Sequence, residues 1–319
     1  MLSTVDIHQV RVIALTRVIM LNYGVFRYGL VIGTLAFVSA GCELIDKVSS
    51  PTGPSTGAVS APAPNALIHY SALGASDAAG VGSSVPCVPF TECPDGTGYV
   101  PVLARQLRGS HEVTLMNLGI PAAVLGPSIE TLARQQGREV TGNFIDRQMP
   151  FVPANSTVVT IFGGANDANA VGDAIENGAA GADINGFITT QTRAFGADYD
   201  RLVQGVRSRA PQAFIVILNV PNLAGLPYAA NYPLEHRKVL QAVSVAFSRE
   251  ANRQAGSGVV IMDAMCDPGM YSPAHFSRDG FHPNDAGYAH MASRLATIVS
   301  GGPASAAASC SQMQVVPSL

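Results

Sequence analysis

Three short runs of this chain are dominated by consecutive β-branched and apolar residues: STVVTIF at 156–162, AFIVIL at 213–218 and GVVIM at 258–262. A strand with one face in water alternates apolar and polar residues. Consecutive β-branched residues instead need cover on both faces, as in a parallel sheet between two layers of helices. Two further strand-like runs precede them, ALIHYSALG at 66–74 and EVTLMNLG at 112–119. Segments with helical spacing of apolar residues fall between and after the runs. These are GTGYVPVLARQLRG, with Val100, Leu103, Ala104 and Leu107 on one face, then IETLARQQG, FGADYDRLVQGVRSRAP, HRKVLQAVSVAFSREANRQAG and PNDAGYAHMASRLATIVS. Alternation of this kind predicts an α/β fold, a three-layer α/β/α sandwich around a five-stranded parallel sheet.

Ligands of such folds bind beyond the carboxyl ends of the strands, so those ends carry the functional question. The first strand runs into LGASDAAGVG, placing Ser76 at a turn where its own N–H can point outward at a helix start. The second ends at Gly119 and the third at GAND, with Asn166 beside Asp167. After the fifth comes FSRDGFHPNDAGY, in which Asp279 precedes His282 by three residues. Pro283 fits a first helical position, with His282 at the cap and Asp285 in the first turn. Taken singly, each has a plainer reading: Ser76 as an N-cap, Gly119 as a turn glycine, Asn166 as an Asx-turn, His282 as an exposed cap. Gly80 and Gly82 lack the third glycine of a dinucleotide loop. Together, however, the strand ends supply a hydroxyl nucleophile, an imidazole base, a carboxylate to orient it and N–H donors for an oxyanion. A metal site built from His275, Asp279 and His282 is the competing arrangement.

This set resembles the SGNH, or GDSL-like, hydrolase family, through Ser76, Gly119, Asn166 and His282. GAND is similar to the family's G-x-N-D block, DGFH to its D-x-x-H block, and LNVPNLAGLP to the segment after its fourth strand. The usual G-D-S-L is GASD here, with Ala75 in place of the acid and Asp77 after the serine. The resemblance implies a flavodoxin-like sandwich over 66–300 and hydrolysis of carboxylic or thio esters without cofactor or metal. It further implies Ser76, His282 and Asp279 as a catalytic triad, with Ser76 N–H, Gly119 N–H and the Asn166 amide as oxyanion hole. The substrate would be a small-molecule, lipid or carbohydrate ester; a carbohydrate acetyl esterase is one form of this reading. A binding lipoprotein that keeps the fold without the chemistry is the alternative from another class. None of the strand-like runs ends in the G-x-S-x-G of α/β-hydrolases; GPSTG at 53–57 lies in the tether-like stretch. The segment ANDANAVGDAIENGAAGADINGF is expected to be a long mobile wall or lid beside the site.

The chain has 319 residues, 47% of them hydrophobic and only 13% charged, with a net charge of −3. A large core is therefore available, while no clustered cations offer themselves to nucleic acid. The apolar run from about Gly29 to Ala40 is too short to span a bilayer and ends in SAGC. This predicts a signal peptide over 1–41 and a lipobox-like site at Cys42; Met20 is a second possible start. Residues 42–65, rich in Ser, Pro, Thr, Gly and Ala, read as a flexible tether. An exported protein is expected, held to the cell envelope by lipid or else secreted. Four cysteines follow: Cys87, Cys93, Cys266 and Cys310. They allow three disulfide connectivities. Pairing Cys266 with Cys310 would tie an irregular tail, 301–319, back to the domain.

Overall fold

The computed structural model describes residues 59–319. The expected signal segment, Cys42 and the tether as far as residue 58 lie outside the described residues. Five strands, β1 (Leu67–Gly74), β2 (Glu112–Asn117), β3 (Val158–Phe162), β4 (Phe214–Leu218) and β5 (Val259–Met262), form one parallel sheet in the order β2-β1-β3-β4-β5. β3 and β4 are buried at every position, as their runs of β-branched and apolar residues require. β2 lies at an edge, and its exposed and buried residues alternate at first.

Side chains along β3 part to opposite faces. Val159 and Ile161 enter one core with α3 (Pro127–Gln135), α5 (Ala165–Glu176), α6 (Ile184–Arg209) and α7 (Leu234–Asn252). Val158 and Phe162 enter the other with α2 (Tyr99–Leu107) and α8 (Asp285–Val299). Two one-turn helices, α1 (Ser76–Ala79) and α4 (Phe144–Arg147), complete the eight among the described residues. The sheet thus lies between two helical layers. Strand order reverses between β1 and β3, and crevices that hold ligands form at such reversals.

Three expectations about local structure are corrected. The segment after Asn166 is helical rather than a loose loop: α5 occupies its first half, and α6 begins at Ile184 and runs for 26 residues. Its small residues serve packing. A Cβ on Gly172 would stand 3.2 Å from Leu240 of α7, and Ala168, Ala170 and Ala174 are all buried. Second, α8 starts later than its proline suggests. Asn284 is the N-cap, accepting from the N–H groups of Ala286 and Gly287, so His282 and Pro283 lie in the loop before it. Third, the ends of the domain are less loose than their composition. Val59 and Ala61, in the expected tether, pack against the second core.

At the other end, Cys266 is bonded to Cys310 and Cys87 to Cys93, each pair with Cα atoms 5.7 Å apart. Beyond Cys310 the side chain of buried Gln241 pairs with the backbone. Its Oε1 accepts from Val315 and Val316 N–H, and its Nε2 donates to Val316 C=O. No helix among the described residues is long and apolar enough to cross a membrane.

Candidate active site

β1 delivers the chain to Ser76, the first residue of α1 and nearly buried. The turn is fixed from below by Gln148, which is fully buried. Its Oε1 accepts from Gly74 N–H and its Nε2 donates to Gly74 C=O, each at 2.9 Å. One glutamine amide therefore satisfies the last residue of β1 as a neighbouring strand would.

The β5–α8 loop brings His282 over this turn, with Nε2 2.8 Å from Ser76 Oγ. On the other side of the ring, Nδ1 lies 2.6 Å from Asp279 Oδ2. The second carboxylate oxygen, Oδ1, accepts from Ser277 Oγ and from the N–H groups of Phe281 and His282, all at 2.9 Å. Partial burial pushes the Asp279 carboxyl up, but these hydrogen bonds outweigh it and bring it down to about 2. Close approach of the loops depends on Gly82, at φ +92. A Cβ there would stand 2.7 Å from Pro283 C=O and 2.8 Å from His282 Cβ. Asp285 adds a second tie by accepting from Ser84 N–H and Ser84 Oγ.

Asn166 projects from the first turn of α5, and its Nδ2 donates to Ala123 C=O at 2.9 Å. An amide nitrogen carries two hydrogens, so one donor remains. Asp167 beside it is buried and accepts Leu125 N–H on both oxygens. Burial drives its carboxyl up to about 7, against the pull of that N–H. Asp167 thereby holds the β2–α3 loop against the start of α5.

Gly119 is placed differently from expectation. Its N–H donates to Asn117 Oδ1 at 3.0 Å, and a Cβ would stand 2.6 Å from Ala78 Cβ, so its lack of a side chain serves the packing of α1. Ala122, three residues on, has φ +60, a conformation costly for any residue but glycine. It lines a cleft of about 570 Å³ together with Ser76, Asn166, Tyr228, Tyr232 and His282. Neither Ser76 N–H nor Ala122 N–H donates to a protein acceptor among the described residues. The positive φ at Ala122 carries no sequence signal. Gln148 acts over 74 residues of separation and was invisible in the sequence; Asp167 was seen in the GAND block, but its contact with Leu125, 42 residues away, was not.

The displaced acid of GASD, Asp77, borders a small apolar cavity of about 30 Å³ with Phe162, Leu223, Leu226 and Met291. Burial pushes its carboxyl up, and the nearby His282 draws it back down. The metal arrangement does not assemble. His275 gives its Nδ1 to Gly269 C=O and stacks at a tilt on His290, and no group of three metal-binding side chains forms among the described residues.

An α/β/α sandwich with these groups at its switch point defines an ester hydrolase of the SGNH class. The chain belongs to the GDSL-like lipase/acylhydrolase family, whose model matches residues 72–290. Among solved structures it is similar to the lipase Lip_vut3 from a goat rumen metagenome, at 18% identity and a TM-score of 0.52, covering 74% of this chain and 99% of that one. An extracellular lipase from Streptomyces rimosus matches at 19% identity and 0.47, over 72% and 98% of the two chains. A variant of Axe2, an acetyl xylan esterase from Geobacillus stearothermophilus, matches at 15% and 0.48, over 75% and 97%. No curated protein matches the sequence.

Proposed function

We propose that the protein hydrolyses carboxylic esters through a Ser76–His282–Asp279 triad. The observation that carries this reading is the unbroken hydrogen-bonded line from Ser76 Oγ through both imidazole nitrogens to Asp279. Ser76 Oγ attacks the acyl carbonyl as His282 Nε2 takes its proton. Asp279 holds Nδ1 protonated, so that Nε2 is the basic nitrogen, and stabilises the imidazolium. His282 then gives the proton to the leaving alcohol. Water, deprotonated by the same Nε2, releases the acid and restores Ser76.

The tetrahedral oxyanion is stabilised by Ser76 N–H, the free hydrogen of the Asn166 amide and, in place of Gly119, Ala122 N–H. Two features support this reassignment: the Gly119 N–H already has an acceptor, and Ala122 borders the cleft with an N–H to give. Held as a carboxylate by its hydrogen bonds, Asp279 carries the negative charge that stabilises the His282 imidazolium. The two disulfides fit an exported protein, which is the location we assign. Ser76→Ala tests the reading on 4-nitrophenyl acetate: loss of turnover in a folded variant is expected, and wild-type turnover would end it.

A further inference from the structure

One wall of the cleft is a continuous series of rings. His282 meets Phe281 edge-to-face with centroids 4.9 Å apart, Phe281 meets Tyr228 at 5.0 Å, Tyr228 meets Tyr232 at 5.5 Å, and Tyr232 meets His236 at 4.9 Å. The series leads from the reacting imidazole to the far end of the cleft. The groups beside it there are polar and paired. Arg138 is bonded to Asp173, His236 to Glu176, and the Tyr228 hydroxyl donates to Asn169 Oδ1 at 2.9 Å.

A fatty chain lying here would strip water from the Arg138–Asp173 ion pair and the Glu176 carboxylate and return no hydrogen bond, a cost that its own burial would have to offset. A polyhydroxylated group behaves oppositely. Its hydroxyls replace water on the carboxylates, guanidinium and amide, while its C–H faces rest on tyrosine rings. Two apolar cavities reach Asp77, the residue after Ser76, and both are small: about 30 Å³ beside Phe162 and Met291, and about 10 Å³ beside Ala75 and Asn166, room for a methyl-sized group rather than a chain.

We infer that the alcohol portion of the substrate is a carbohydrate, seated on Tyr228 and Tyr232, and that the acyl group it carries is short. This rests on the esterase reading above and narrows it. Tyr232 is 40% exposed, so its truncation does not touch the core.

The test compares acetylated xylo- and cello-oligosaccharides with 4-nitrophenyl acetate and 4-nitrophenyl dodecanoate. The oligosaccharides are expected to exceed the dodecanoate in kcat/KM by at least about tenfold, the effect of ~1.4 kcal/mol of differential binding. Tyr232→Ala and Glu176→Gln are expected to raise KM for the oligosaccharides more than for the aryl acetate. Preference for the dodecanoate, or variants that leave the ratio of sugar to aryl ester unchanged, would overturn the inference. Binding is read separately by NMR titration of the Ser76→Ala protein with xylohexaose. Shifts that vanish in the Ser76→Ala, Tyr232→Ala double variant are expected, and no shifts at all would count against the carbohydrate. Should Ser76→Ala keep wild-type turnover, the triad reading fails, while the titration still decides what the cleft binds.

Discussion

Replacing Asp279 by asparagine should cost more than replacing it by alanine, and the reason lies in how its two oxygens are used. Oδ1 accepts three hydrogen bonds, from Ser277 Oγ, Phe281 N–H and His282 N–H. An asparagine must keep its carbonyl oxygen there, since its amide group cannot accept. Its NH₂ then faces His282 Nδ1 across the 2.6 Å contact now made by Oδ2. Donation to Nδ1 moves the ring proton to Nε2, so the nitrogen facing Ser76 Oγ can no longer take a proton. A trapped tautomer of this kind lowers kcat about 10⁴-fold, some 5.5 kcal/mol of barrier. Alanine imposes no tautomer. The side chain it removes is 48% exposed, so water reaches Nδ1 and a loss of about 10²- to 10³-fold is expected. Turnover of 4-nitrophenyl acetate, with folding checked by circular dichroism, measures both. Asparagine within tenfold of wild type, or alanine clearly worse than asparagine, would refute the reasoning.

Asn166→Ala removes one oxyanion donor and should lower kcat about 10²- to 10³-fold with little change in KM; steady-state kinetics on the aryl acetate decide it. Gln148→Leu strands the N–H of Gly74 inside the core, which should cost about 2 kcal/mol in urea unfolding and lower kcat as the Ser76 turn loosens. Burial raises the Asp167 carboxyl to about 7 against an ordinary 3.8, so the folded state binds the extra proton between those values. The contribution of Asp167 to stability should therefore be fullest below pH 4 and be lost as pH rises from there to about 7, by up to about 4 kcal/mol. Asp167→Asn should flatten that slope, and an unchanged slope would show the group is ionised throughout.

The sheet was legible in the sequence because β3 and β4 are buried on both faces and leave no polar alternation to misread. Ser76 and Asn166 were legible because each follows a strand by a few residues, and Asp279 and His282, well beyond the end of β5, through their D-x-x-H spacing. The rest depends on contacts between distant parts of the chain. Nothing in the sequence around Gln148 shows that its amide completes β1. The small residues of 165–176 read as flexibility until the close approach of α7 shows their use. Gly119 drew attention as a glycine at a strand end, whereas the strained backbone beside the cleft belongs to an alanine.

In this mechanism Ser76 is made nucleophilic by His282. Mass spectrometry of the protein treated with a fluorophosphonate reports on both at once. One adduct on the peptide containing Ser76 is predicted, formed at least about 10²-fold more slowly in His282→Ala at neutral pH. Folded protein without an adduct, or one that forms equally fast without the imidazole, would contradict it.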